Sequence, residues 1–182
     1  MAAPLLVVIQ GAPGVGKTTL LEKLRQDFTM PMLGKDEIKE FLFDITPQSS
    51  REPSYTQSDA SFAMLYAFAH AFLAKGHPVL IEGAFYSKVA GKVLQEILDS
   101  TGAQCLELLC YVDEAVRQKR FNARSESGSR HAVHASTMAK ELPRGGFPHV
   151  TLNLGDRIDI DTSEPLEPQY EYIVSEIKRR LA

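Results

Sequence analysis

One stretch near the start of the chain limits its fold more than any other. Gly11-Ala12-Pro13-Gly14-Val15-Gly16-Lys17-Thr18 satisfies the pattern G-x-x-x-x-G-K-[ST] in full. Before it, residues 5–9 (Leu-Leu-Val-Val-Ile) form a continuous apolar run that suits a strand buried on both faces of a parallel sheet. After it, residues 17–28 place Leu20, Leu21, Leu24 and Phe28 at helical spacing. Strand, glycine-rich loop and helix together read as a phosphate-binding loop, or P-loop. Its glycines let main-chain N–H groups close on phosphate oxygens, and the helix that opens near Gly16 points its dipole at the anion. Gly11 through Thr19 are therefore the expected nucleotide cradle. Lys17 is positioned to put an ammonium on the β- and γ-phosphates, and Thr18 to offer its hydroxyl to Mg²⁺. At average residue frequencies the pattern arises by chance in about 1% of chains this long, and the strand–loop–helix setting narrows that further.

The rest of the chain alternates strand and helix signals. Short apolar runs at residues 31–33, 78–81, 105–112 and 157–161 read as strands. Helical patterns read over residues 36–42, 59–75, 89–98, 113–125 and 168–181. A polar loop rich in Ser and Pro fills residues 46–56, and glycines break the chain at 127–129 and 144–146. Five strands alternating with helices predict an α/β fold with a mostly parallel sheet and helices on both faces. At 182 residues, with no internal repeat or linker, a single domain over 1–182 is expected.

The formal net charge of −3 argues against nucleic acid as a partner. Cys105 and Cys110 fall in one apolar run at an odd spacing, so they should face opposite sides of a strand and cannot pair. With no disulfide framework, no basic signal-like start and no apolar stretch near 18 residues, a cytoplasmic chain without a membrane span is expected.

Several side chains outside the P-loop read as chemistry. Asp36 follows the second strand, where its carboxylate can act as a plain helix N-cap or take a proton from an acceptor hydroxyl. Glu82 ends the third apolar run, at the sheet edge where parallel α/β proteins bind ligands. A Walker-B-like hold on a Mg²⁺-bound water is its expected role, with substrate contact as the alternative. Arg117, Arg120 and Arg124 share one helix face. Arg120 and Arg124 are expected at the phosphates, and Arg117 is expected to be solvated. His131 and His134 are too few for a metal site. A contact with phosphate or substrate fits His131 better.

Four segments, spread over nearly the whole length, give the chain a resemblance to the compact P-loop kinases around chloramphenicol phosphotransferase, gluconate kinase and the zeta toxins. They are the P-loop; Gly34-Lys35-Asp36-Glu37-Ile38-Lys39, where the family often has Arg in place of Lys39; the Arg-bearing helix with Gly128-Ser129-Arg130-His131; and Ile160-Asp161-Thr162-Ser163. The resemblance implies a three-layer fold with strand order 2-3-1-4-5 and a lid over about 125–145. It also implies an acceptor-binding region over about 44–75, and a turn at Thr162 that lines the nucleotide base. Arg51, Tyr55, Asp59 and Tyr86 are plausible acceptor contacts.

The expected activity is transfer of the γ-phosphate of ATP, with Mg²⁺, to a hydroxyl of a small molecule, by a monomer or homodimer. A polynucleotide or nucleotide kinase is an alternative, as is a nucleotide-gated module without catalysis. A GTPase would need an Asn/Thr-Lys-x-Asp stretch, which the chain lacks, and Asp99-Ser-Thr-Gly102 sits at a helix end. A motor or AAA+-type ATPase would need a longer chain with sensor elements.

Overall fold

Apolar β-rich runs need both faces covered, and the chain covers them with helices in the alternating order that the sequence predicts. The computed structural model describes residues 3–46, 54–85, 88–126, 131–135 and 151–182. Its strands are β1 (Leu5–Gln10), β2 (Met32–Gly34), β3 (Val79–Gly83), β4 (Gln104–Tyr111) and β5 (Asp156–Asp161). Every neighbouring pair is parallel, in the order β2-β3-β1-β4-β5, so the sheet is wholly parallel. The connecting helices are α1 (Lys17–Asp27), α2 (Lys35–Ile45), α3 (Ser54–Leu73), α4 (Lys88–Thr101), α5 (Glu114–Glu126), α6 (Ala132–Ala135) and α7 (Leu166–Leu181).

Two apolar layers flank the sheet. On one face Leu5, Val7 and Ile9 pack with Leu20, Leu21 and Leu24 of α1 and with Tyr170, Ile173 and Ile177 of α7. On the other, Leu6 and Val8 meet Ile38 of α2, Leu65, Ala69 and Leu73 of α3, and Leu94 and Ile97 of α4. This alternation along β1 is the period-2 side-chain direction of a strand. It also splits the cysteines: Cys110 joins the first layer and Cys105 the second. Burial pushes each thiol up to about 12.

Both ends of α3 differ from the sequence reading. The polar stretch after residue 46 is shorter than expected because α3 begins at Ser54. Ser and Thr suit a first helical turn as well as a loop, so composition alone cannot separate the two. Helix α3 also ends earlier, at Leu73, followed by a turn in which Gly76 adopts φ 77°. Among the described residues, no helix is long and apolar enough to cross a membrane.

Candidate active site

The parallel sheet brings the C-terminal ends of β1, β2 and β3 to one edge, where β1 runs into the P-loop. Gly11, Gly14 and Gly16 all have positive φ (143°, 90° and 93°). At Gly11 the requirement is absolute, since a Cβ there would stand 2.2 Å from the Cys110 carbonyl oxygen. The Val15 N–H donates to the Ala12 carbonyl at 3.4 Å, which curls the loop on itself. Just before the loop, the Gln10 amide donates to the buried Glu107 carboxylate, which also accepts from the Leu152 N–H at 3.2 Å.

Lys17 and Glu82 meet at the centre of this edge. The Lys17 ammonium donates to the Ala12 carbonyl at 3.2 Å and lies 3.7 Å from Glu82 Oε1. Both side chains are nearly buried, at 10% and 7% exposure. Burial raises the Glu82 carboxyl, and Lys17 opposes the rise. Glu82 lies across from Gly34 of β2 in register, and a Cβ on Gly34 would come within 3.2 Å of Glu82 Oε2. Glycine there gives the carboxylate its room.

Asp36 is not the N-cap of α2. Gly34 holds that position, and the Glu37 side chain accepts its N–H at 3.0 Å while gripping Arg25 at 2.6 and 2.9 Å. Asp36 is thereby released from capping, and its side chain is 62% exposed. Its carboxylate accepts from Lys35 Nζ at 3.2 Å. Burial acts to raise the Asp36 carboxyl, but Lys35, His134 and Lys17 outweigh it and hold it below the ordinary carboxylate range.

Thr18, Thr19, Asp36, Glu40, Glu82, Arg124, His131 and His134 line one cavity of about 390 Å³ between α1, α2 and α6. His131 Nε2 lies 3.0 Å from Asp44 Oδ1, and His134 Nε2 lies 2.9 Å from Glu40 Oε1, so α6 is tied to α2 through two imidazole–carboxylate contacts. His131 thus meets a carboxylate of α2, where the sequence suggested phosphate or substrate. Among the described residues no cluster of three or more His, Cys, Asp or Glu side chains could hold a metal ion.

The arginine face divides into three roles. Arg117, expected in solvent, is buried: it chelates Glu114 at 2.7 and 2.5 Å and donates to the Pro13 carbonyl at 3.1 Å. It braces the P-loop from behind, because that helix face looks onto the loop and not onto water. Arg120 donates to the Thr162 hydroxyl and carbonyl at 3.0 and 2.8 Å. Thr162 also lies beside Gly16, where an added Cβ would meet its methyl at 3.6 Å. Arg120 therefore fastens the β5 turn to α5, beside the rim of the P-loop. Arg124 lines the cavity with Asp36 and Glu82. Asp59 is exposed on α3, whereas Arg51, Tyr86, Arg130 and the Tyr55 side chain lie outside the described residues.

Sequence reasoning gave no role to Lys35 and gave Lys39 none beyond its departure from a motif. Both are buried on α2, at 9% and 6% exposure. The signal was available: Lys35, Ile38, Lys39 and Leu42 form one i, i+3, i+4, i+7 stripe.

Residues 6–144 match the family model described as an AAA domain. The chain belongs to this AAA domain family. The matched span takes in the P-loop, Asp36 and Glu82 and stops short of β5 and Thr162. No curated protein matches the chain in sequence. Among solved structures, a provisionally assigned kinase from Chloroflexus aurantiacus J-10-fl is 29% identical, with a TM-score of 0.84 over 99% of this chain and 100% of that one. A sugar kinase from Janibacter sp. HTCC2649 (17% identity, TM-score 0.64, 96% and 95% covered) shares the fold. So does the APS kinase of Mycobacterium tuberculosis, solved with AMPPNP and APS (13% identity, TM-score 0.62, 98% and 99% covered). The strand order and P-loop make this AAA domain a three-layer P-loop α/β protein, and the solved structures that share its fold include kinases.

Proposed function

We propose that this AAA domain is a kinase that moves the γ-phosphate of ATP to a hydroxyl of a small molecule. The observation that carries the reading is the meeting, at one cavity, of the P-loop helix, the Lys17–Glu82 pair, the ionised Asp36 and Arg124. The full-length likeness to a provisionally assigned kinase supports it.

The chain's own residues suit the two bound partners this requires. The curled loop with its positive-φ glycines suits a triphosphate. Thr18 and Glu82 would hold Mg²⁺, and so small a protein ligand set suits an ion held chiefly by phosphate oxygens and water. When bound, Mg²⁺ neutralises charge on the phosphate oxygens. Lys17 would leave Glu82 for the β- and γ-phosphates, with Ala12 O fixing its direction. Arg124 would face the transferred group across the cavity. Asp36 would accept the acceptor's hydroxyl proton as that oxygen bonds to phosphorus, and its lowered pKa keeps it charged at neutral pH. Holding α6 against α2 would limit water at the cavity.

Measurement of ADP release and phosphorylated product over a panel of hydroxylated compounds tests the reading. Asp36→Asn should cut kcat by about 10²–10⁴ while leaving the KM for ATP near wild type. An unchanged kcat would remove Asp36 as the base. MgATP binding without transfer to any acceptor would favour a non-catalytic module.

A further inference from the structure

The Asp36 carboxylate has little of its own to hold it. Among the described residues it accepts one hydrogen bond, from Lys35 beside it in sequence, and its side chain is 62% exposed. Its place is therefore set by the main chain in the first turn of α2. That turn follows β2, a strand of three residues at the edge of the sheet, paired to β3 alone. The N-cap residue, Gly34, has no side chain with which to fix the turn.

The hold comes from α1, through a single guanidinium. Arg25 donates to both Glu37 oxygens, at 2.6 and 2.9 Å, in a fork that fixes direction as well as distance. Glu37 in turn accepts the Gly34 N–H at 3.0 Å. The same guanidinium reaches the Met32 carbonyl of β2 at 3.3 Å and Glu22 of its own helix at 2.6 Å. Thr18, Glu22 and Arg25 fall at i, i+4 and i+7, so the anchor stands on the α1 face that presents Thr18 to the cavity. Burial acts to raise the Glu37 carboxyl, but Arg25 and the Gly34 N–H outweigh it and hold it low. The hydrogen bond to Glu37 raises the Arg25 guanidinium, so both groups stay charged at neutral pH. A pair that is 31% and 39% exposed adds little to stability. Its effect lies in geometry, where a shift of about 1 Å at a reacting group costs about 10²-fold in rate.

We infer that Arg25 is a positioning residue: acting through Glu37, it sets Asp36 at a fixed distance from the helix whose first turn carries Lys17 and Thr18. This rests on the kinase reading, in which Asp36 is the base. The base is thereby held in register with the phosphate to be transferred.

The test follows MgATP turnover by the whole chain with the hydroxylated compound that wild type phosphorylates fastest. Arg25→Met should lower kcat about 10- to 100-fold, with the KM for ATP, MgADP affinity and the urea midpoint near wild type. Arg25→Lys, which can hold one oxygen, should recover part of the loss. In the Asp36→Asn chain, Arg25→Met should cost less than about twofold, because a residue that acts through Asp36 then has nothing left to position. A second arm needs no acceptor. With the chain saturated with MgADP, hydrogen exchange at the Gly34 N–H, read by NMR, should run at least about tenfold faster in Arg25→Met. Glu37→Gln takes its place in both arms if Arg25→Met does not fold. The inference is overturned if kcat is unchanged, if the loss appears in MgADP affinity or stability instead, if the full loss persists without Asp36, or if Gly34 exchanges as in wild type. If wild type phosphorylates no compound, the kinase reading falls, and the positioning role with it.

Discussion

On the P-loop side of the cavity, cations are fixed by main chain as well as by side-chain carboxylates: Lys17 donates to the Ala12 carbonyl and Arg117 to the Pro13 carbonyl. On the α2 side, charged groups are fixed by one another's side chains, as in Lys35 with Asp36, His134 with Glu40 and His131 with Asp44. Main-chain carbonyls cannot be exchanged by point substitution, whereas side-chain partners can. The first half is thus committed to one anion geometry, and the second can be retuned without disturbing the sheet. That division matches what a phosphotransferase requires, with a constant donor and a variable acceptor.

The comparison breaks most sharply at Gly11. Gly11→Ala places a Cβ against the Cys110 carbonyl at an unfavourable φ. It should destabilise the fold by about 3 kcal/mol and weaken nucleotide binding at least about tenfold, read from urea midpoints and MgADP calorimetry. A smaller loss is expected from Arg117→Met, which removes the donor to Pro13 and strands Glu114. About 2 kcal/mol of stability should go, with weaker MgADP binding. If Arg117→Met left nucleotide affinity intact, the rear brace would not be what shapes the loop.

The smallest effect should come from α6. Burial sets the His134 imidazole below its ordinary value, outweighing the pull of Asp36 and Glu40. As pH falls below about 6.5, the unfolded imidazole binds a proton more readily than the docked one, so stability contributed at His134 declines with acidification. Relative to His134→Gln, wild type should lose a few tenths of a kcal/mol between about pH 7.5 and 5.5 in paired urea melts. An opposite slope would mean that Glu40 outweighs burial.

Much of this was legible before any coordinates. A complete P-loop between a strand and a helix fixes the sheet edge that matters, and the Cys105/Cys110 spacing gives the two faces of β4. The site's second half was harder to read. Helical spacing groups Arg117, Arg120 and Arg124 on one face but cannot say that Pro13, distant in sequence, lies against it. Asp36 was ambiguous because capping and catalysis ask for the same residue type. The N-cap at Gly34, with the Glu37 contact to its N–H, takes Asp36 out of the cap, and nothing in local propensity requires it. Lys35 looks like an ordinary helix-surface lysine until Phe62 of α3 is laid against it.

The two native thiols have a practical corollary. Both lie in the interior with their ionisation pushed up to about 12, so a maleimide should pass them by while the protein stays folded. A single cysteine placed at exposed Ala132 could then carry a fluorophore without background labelling, and the late reaction of Cys105 and Cys110 would itself report global opening of the chain.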